Sequence, residues 1–132
     1  MSYLLDSNVL SDLMHDVSGR AAQRVAEVGI GNVITSRIVL AELRYGLAKR
    51  FSQRLAARLD QLERSIEVAD FIAPCETAYG EIRAALERKG TPIGAVDYFI
   101  AAQCIGLDHT LVTDNEREFS RVPGLKMENW LR

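Results

Sequence analysis

Short apolar runs alternate along this chain with longer stretches in which apolar residues recur every three or four positions. Tyr3-Leu4-Leu5, closed by Asp6-Ser7-Asn8, predicts a strand feeding a capped helix that runs to about Met14. A second helix is expected over Arg20–Val28, broken by Gly29 and Gly31. Asn32–Thr35 reads as a second strand, and Ser36 can cap a helix that begins near Ile38 and weakens at Gly46. Leu55, Leu59, Leu62 and Ile66 share one helical face, with Arg50, Arg54 and Arg58 on a neighbouring one. Val68–Ala73 reads as a third strand stopped at Pro74. Ala78, Tyr79, Ile82, Ala85 and Leu86 form another stripe, ended by Gly90 and Pro92. Gly94–Leu107 is apolar nearly all round, which predicts a central, buried helix. Thr110–Thr113 reads as a fourth strand and Lys126–Asn129 as a fifth.

Strands separated by helices predict an α/β fold, with a four- to five-stranded parallel sheet covered by helices on both faces. Right-handed crossovers then bring the C-terminal ends of the strands to one edge, where ligands bind in such sheets. The 132 residues suit a single domain over 1–132. A net charge of −2 excludes a globally basic nucleic-acid binder, so any such contact has to be local. Cys75 and Cys104 form neither a CxxC pair nor a zinc spacing. No signal-like leader precedes Asp6, and the apolar run around Ala95–Leu107 is too short to span a bilayer, so the expectation is a cytoplasmic chain with no membrane partner.

Asp6 ends the first strand and Asp114-Asn115 follow the fourth, so both fall on the ligand edge. Glu42 lies inside the apolar run Ile38–Leu43, and Asp97 is the only charge between Gly94 and Leu107. An unpaired buried carboxylate costs several kcal/mol. Carboxylates placed in apolar stripes therefore suggest a cation brought to them. Plainer readings exist for each residue alone. Asp6 or Ser7 can cap the first helix, Asp97 can answer a helix dipole, and Glu42 can pair with Arg44. Asp114-Asn115 can be turn chemistry. The architecture, however, converges these positions, which independent caps do not require.

The chain resembles the PIN-domain ribonucleases, specifically VapC toxins of type II toxin–antitoxin pairs. The resemblance spans essentially the whole sequence. It rests on Leu4-Leu5-Asp6-Ser7-Asn8, Ala41-Glu42-Leu43-Arg44-Tyr45-Gly46, Ile93-Gly94-Ala95-Val96-Asp97 and Leu111-Val112-Thr113-Asp114-Asn115 with Arg117-Glu118-Phe119. Val122-Pro123-Gly124-Leu125 and Glu128-Asn129-Trp130 also fit. It implies a PIN-like three-layer α/β/α domain and an endoribonuclease that needs Mg²⁺ or Mn²⁺. The implied substrate is an RNA such as tRNA or another structured loop. A VapB-like antitoxin would neutralise the chain, which would form a homodimer and meet operator DNA only through that antitoxin. The family's first three acids map onto Asp6, Glu42 and Asp97, and its fourth position onto Asn115, with Asp114 one step before.

The chemistry agrees. An all-oxygen site favours Mg²⁺ or Mn²⁺ over zinc, and such an ion serves phosphodiester hydrolysis. Asp6 and Asp97 are the expected main ligands, and Glu42 is a ligand or a base that orients water. Asp114, as the true carboxylate, is expected to join the acidic cluster, with Asn115 nearest the hydration shell. Ser7 and Thr113 are candidates for orienting water or phosphate. Arg50, Arg54 and Arg58, with Lys49 and Arg44, are candidates for RNA phosphates, against the alternative of a solvated helix face. Two further functions compete: a phosphohydrolase with Asp6 as nucleophile, and a catalytically idle module that keeps the fold.

Overall fold

The computed structural model describes residues 2–132. β1 (Tyr3–Leu5) leads into α1 (Ser7–His15) and α2 (Arg20–Val28). A 3-10 turn over Ile30–Asn32 precedes β2 (Val33–Ser36). Then follow α3 (Arg37–Lys49), α4 (Gln53–Ser65), β3 (Glu67–Ala69), α5 (Cys75–Arg88), α6 (Ala95–Leu107), β4 (Thr110–Val112), α7 (Glu116–Phe119) and β5 (Met127–Glu128). The five strands form one sheet in the order β3-β2-β1-β4-β5. Every neighbouring pair is parallel.

This order has a physical consequence. From β1 the chain moves outward through β2 to β3, then crosses back to β4 and β5 on the other side. Right-handed crossovers therefore set α1–α4 on one face and α5–α7 on the other. The direction reverses between β1 and β4, which is where a parallel sheet opens a crevice at its C-terminal edge. Asp6 follows β1 and Thr113 follows β4, so both stand at that crevice.

The strands are short, and both of their faces are covered. Leu4, Leu5, Val33, Leu111 and Val112 are all 2% exposed or less, which is why they read as unbroken apolar runs rather than alternating ones. On α6, Ile100, Ala101, Ala102 and Cys104 are buried between the sheet and α5. Gly106 lets α6 approach α5 closely, since a Cβ there would lie 3.2 Å from the Cα of Cys75. Both cysteines are free and buried, and burial pushes their thiols up. One polar bridge crosses the core. The Ser36 hydroxyl accepts the Ile38 amide as cap of α3 and donates to Oε1 of Gln103 on α6, whose Nε2 donates to the Ala69 carbonyl. No helix among the described residues is long and apolar enough to cross a membrane.

β2, β4 and β5 differ from the sequence expectation by a residue at one end or both, and three departures are larger. β3 ends at Ala69 rather than Ala73, because its only partner is β2 and the register stops at Ser36–Ala69, where β2 turns into α3. α3 runs through Gly46 to Lys49 without weakening, held by Val39, Leu40 and Leu47 against the core. The single turn of α7 was not expected; its buried Phe119 pins it to the core.

Leu4→Ala on the central strand should lower unfolding free energy by ~2–5 kcal/mol without changing the denaturant slope, as a fully buried truncation does. Urea unfolding followed by circular dichroism checks this.

Candidate active site

Asp6 is the N-cap of α1, so the sequence's plainer reading is true of it as well. Its Oδ1 accepts the Ser7 amide at 2.8 Å. Its Oδ2 accepts the Thr113 hydroxyl at 2.8 Å, a bond that ties the end of β1 to the end of β4 across the crevice. Thr113 is fully buried and also accepts from Asn8 Nδ2 and the Asn115 amide. Its hydroxyl is thus committed to holding Asp6 and the β4–α7 turn, and not to orienting a substrate phosphate. Burial drives the Asp6 carboxyl up despite these bonds.

α3 brings Glu42 to the same place. The helix is capped by Ser36 at the C-terminal end of β2, so Glu42 lies under two turns from the edge. Burial, then the charge of Asp6, holds its carboxyl above the ordinary range. Glu42 Oε1 is buried and has no hydrogen-bond partner. Arg44 does not relieve it, being bound to Asp60 at 2.8 Å and Glu63 at 3.0 Å.

Asp97 enters from the first turn of α6. Burial pushes its pKa up to about 7, helped by a hydrogen bond to Glu118 and by the charges of Asp6, Glu118 and Glu42. Glu118 is the residue that sequence reasoning passed over. Asn115 Nδ2 donates to its Oε2 at 2.8 Å and the Gly94 amide to its Oε1 at 3.1 Å. The bond to Asn115, then those from Asp97 and Gly94, hold Glu118 below the usual carboxylate range. Asp97 is thus raised and Glu118 lowered at their contact.

Asp114 does not take the place expected of it. It is exposed, and its Oδ1 accepts from Asn129 Nδ2 at 2.9 Å with Arg132 at 3.5 Å. The backbone turns after β4, so Asp114 faces the C-terminal segment. Asn115 faces the crevice, where it holds Glu118. A signal for Glu118 was present: one helical turn starting at Asn115 puts 115 and 118 on one face, with Phe119 as its apolar anchor. Ser7 offers its amide to Asp6; Arg50 and Arg54 are exposed on the α3–α4 side.

Among the described residues, no three His, Cys, Asp or Glu side chains are drawn tightly enough together to hold a metal ion as they stand. The donor set nevertheless fits a hard cation in kind. It is all oxygen, one of its atoms is buried without a partner, and its members raise one another's pKa.

The PIN domain profile matches residues 3–125. The chain belongs to the PIN-domain family. It is similar to Ribonuclease VapC2 of Rickettsia felis, at 39% identity with 98% of each chain covered. It is also similar to the tRNA(fMet)-specific endonuclease VapC of Shigella flexneri, at 33% identity with 98% of each covered. Among solved structures, VapBC2 from Rickettsia felis bound to a promoter DNA fragment gives a TM-score of 0.91 at 37% identity, covering 98% of this chain and 99% of that one. DNA-bound VapBC from Salmonella typhimurium gives 0.90 at 32% identity and 98% coverage of both. The three-layer PIN fold expected from the sequence is the fold observed, and its crevice between β1 and β4 carries the acids.

The raised Asp97 carboxyl fixes the sign of a pH effect. Unfolded, the group titrates near ~3.9; folded, it does so at about 7. Between these values the folded chain holds more protons, so its stability falls as pH rises. In EDTA, wild type should be more stable to urea at pH 5 than at pH 8, and Asp97→Asn should flatten that difference. Greater stability of wild type at pH 8 would contradict the assignment.

Proposed function

We propose that this chain is a metal-dependent endoribonuclease of the VapC type, a toxin silenced by a cognate VapB-like antitoxin. The observation that carries the reading is the convergence of Asp6, Glu42, Asp97 and Glu118 at the C-terminal edge of the sheet, with Glu42 Oε1 buried and unpartnered. Family membership and the VapC relatives support it. Asp6 and Asp97 are the principal ligands, with Glu42 and Glu118 completing the set or orienting water. Mg²⁺ or Mn²⁺, when bound, supplies positive charge for the phosphate oxygens and acidifies a water.

The chain's own groups do the positioning. Thr113 and the Ser7 amide fix both oxygens of Asp6, so the carboxylate is set before substrate arrives. Asn115 and the Gly94 amide keep Glu118 ionised beside Asp97. Asp97, raised to about 7, loses its proton across neutrality, and Glu42, whose Oε1 has no internal partner, is the group best placed to take a proton from water. The PIN-family match and the ribonuclease relatives favour attack by an activated water over an Asp6 nucleophile.

The substrate class is RNA with a single-stranded loop, tRNA included, in keeping with the name of the Shigella flexneri relative. The partner is an antitoxin, as in the VapBC complexes this chain resembles, and operator DNA would be met through it. A cytoplasmic homodimer is the expected form.

Cleavage of a tRNA should require Mg²⁺ or Mn²⁺ and stop with EDTA. Asp6→Asn and Asp97→Asn should each lower the rate by roughly 10²-fold or more, as loss of a principal electrostatic group does. Asp114→Asn should keep most activity, and Glu118→Gln should lose most of it. Near-normal cleavage by folded Asp97→Asn would overturn the site.

Mg²⁺ should also raise the Tm of wild type by linkage, and Asp97→Asn should blunt that rise. Expression of the chain alone should arrest growth, and co-expression with the antitoxin should restore it.

A further inference from the structure

Asp6, Glu42, Asp97 and Glu118 together repel a phosphodiester strand, so cations beside the crevice must draw it in. The net charge of −2 supplies no general attraction. Many of the candidate cations are already neutralised. On α3, Arg37 and Arg44 face Asp60, Glu63 and Asp70. Arg24 faces Glu27 and Glu128, and Arg132 faces Asp114 and Glu116. Lys49, Arg50 and Arg54 are unpaired among the described residues, but they stand about two turns or more beyond Glu42 along α3 and into α4.

The α7 side differs. Arg88 and Lys89 end α5, Arg117 lies on α7 and Arg121 just past it. None of the four has a carboxylate within ion-pair distance among the described residues. The acids next to them in sequence are engaged elsewhere: Glu87 pairs with Arg83 at 3.2 Å, and Glu116 accepts from Asn129 at 2.9 Å. The chain also fixes this side against the acids. Arg121 is half-buried, and its Nη1 donates to the Pro92 carbonyl at 2.7 Å, tying the loop between α5 and α6 to the end of α7. Two residues further on, the Gly94 amide donates to Glu118 at 3.1 Å, so loop and turn are joined twice. The same loop folds back on α5 through the Gly90 amide to the Glu87 carbonyl and the Thr91 amide to the Leu86 carbonyl. The bond from Asn115 lowers the Glu118 carboxyl most, and the charge of Arg121 adds to it, so that guanidinium is within electrostatic reach of the acids.

Pro92 takes one of the five N–H donors of Arg121, and no other protein acceptor meets the rest among the described residues. Arg117 lies one turn earlier on the same side, is exposed and makes no side-chain bond among the described residues. Open guanidinium forks suit phosphate oxygens, and a rim already fixed in place loses little entropy on meeting them.

We propose that Arg117 and Arg121, with Arg88 and Lys89 on the tethered loop, grip the phosphates that flank the scissile one, so that single-stranded RNA enters the crevice over α7. The grip is on the backbone and not on bases, so it adds affinity without sequence preference. The inference rests on the ribonuclease reading and adds the side from which the strand approaches.

The test uses the full chain carrying Asp97→Asn, so that RNA is bound and not cut. Affinity for fluorescent oligouridylate and oligoadenylate, and for a double-stranded DNA beside them, is measured by anisotropy over a series of KCl concentrations. On a single strand each phosphate contact contributes about 0.7 to the slope of log affinity against log salt. Arg117→Gln and Arg121→Gln should each lower the slope by about that much and weaken both RNA strands alike, roughly three- to tenfold. Arg121→Lys keeps the charge and should keep the slope. Arg64 is equally exposed and unpaired, but it ends α4 on the opposite edge of the sheet, and Arg64→Gln should change neither quantity. Melting curves confirm folding, and Arg117→Gln, which breaks no internal bond, decides the matter if Arg121→Gln unfolds. Unchanged slopes in the folded variants overturn the grip. So does an equal drop in Arg64→Gln, which would reduce the effect to net charge, and so does a drop confined to double-stranded DNA. Cleavage of RNA by the chain with Asp97 intact is measured in parallel. Its failure would strike the ribonuclease reading itself, whereas cleavage with unchanged slopes strikes only the grip.

Discussion

The acidic edge depends on one costly arrangement: carboxylates gathered at one crevice, Asp6 buried and Glu42 and Asp97 half-buried, with no ion pair to these three among the described residues. Asp6 is almost wholly buried, Glu42 leaves an oxygen without a donor, and Asp97 keeps a proton up to about pH 7. The rest of the molecule makes that arrangement tolerable. Thr113 and the Ser7 amide satisfy Asp6, and Asn115 and Gly94 satisfy Glu118. The hydrophobic core then holds the four elements that carry the acids at fixed separations. Removing the charge from the site would relieve the fold, which is the trade between stability and activity expected where a site is poised for a ligand.

The topology supplies the convergence. β1 and β4 are neighbours in the sheet but run to opposite sides afterwards, so the loops that leave them part and open a crevice. Asp6 and Thr113 lie 107 residues apart and still share a hydrogen bond there. α3 and α6 begin near the same edge, and the buried Ser36–Gln103 bridge joins them six residues from Glu42 and from Asp97 respectively. The crevice is thus built from chain segments that no local pattern connects.

Much of this was legible in the sequence. The apolar runs and helical stripes located all five strands and the six longer helices, and the carboxylates in apolar settings marked Asp6, Glu42 and Asp97. Strand ends were harder, because pairing is decided by the neighbour: β3 stops where β2 stops, which Phe71 and Ile72 cannot announce. The place of Asp114 was hard to read for a similar reason. Asp114 carries the charge next to the strand, but the turn that follows sends it to Asn129 and Arg132 and brings Glu118 inward through Asn115. Gly46 read as a helix weakness, yet α3 runs through it unbroken, with open space where a Cβ would stand.

With no ion bound, Asp97 holds a proton where a cation would otherwise sit. Calorimetric titration of Mg²⁺ into the wild-type chain, in buffers of different ionisation enthalpy, counts the protons released on binding. At pH 6 about one proton should be released per chain, falling towards none at pH 8.5, since a ligand held protonated must lose its proton to bind the ion. Mg²⁺ binding at pH 6 with no proton release would contradict it.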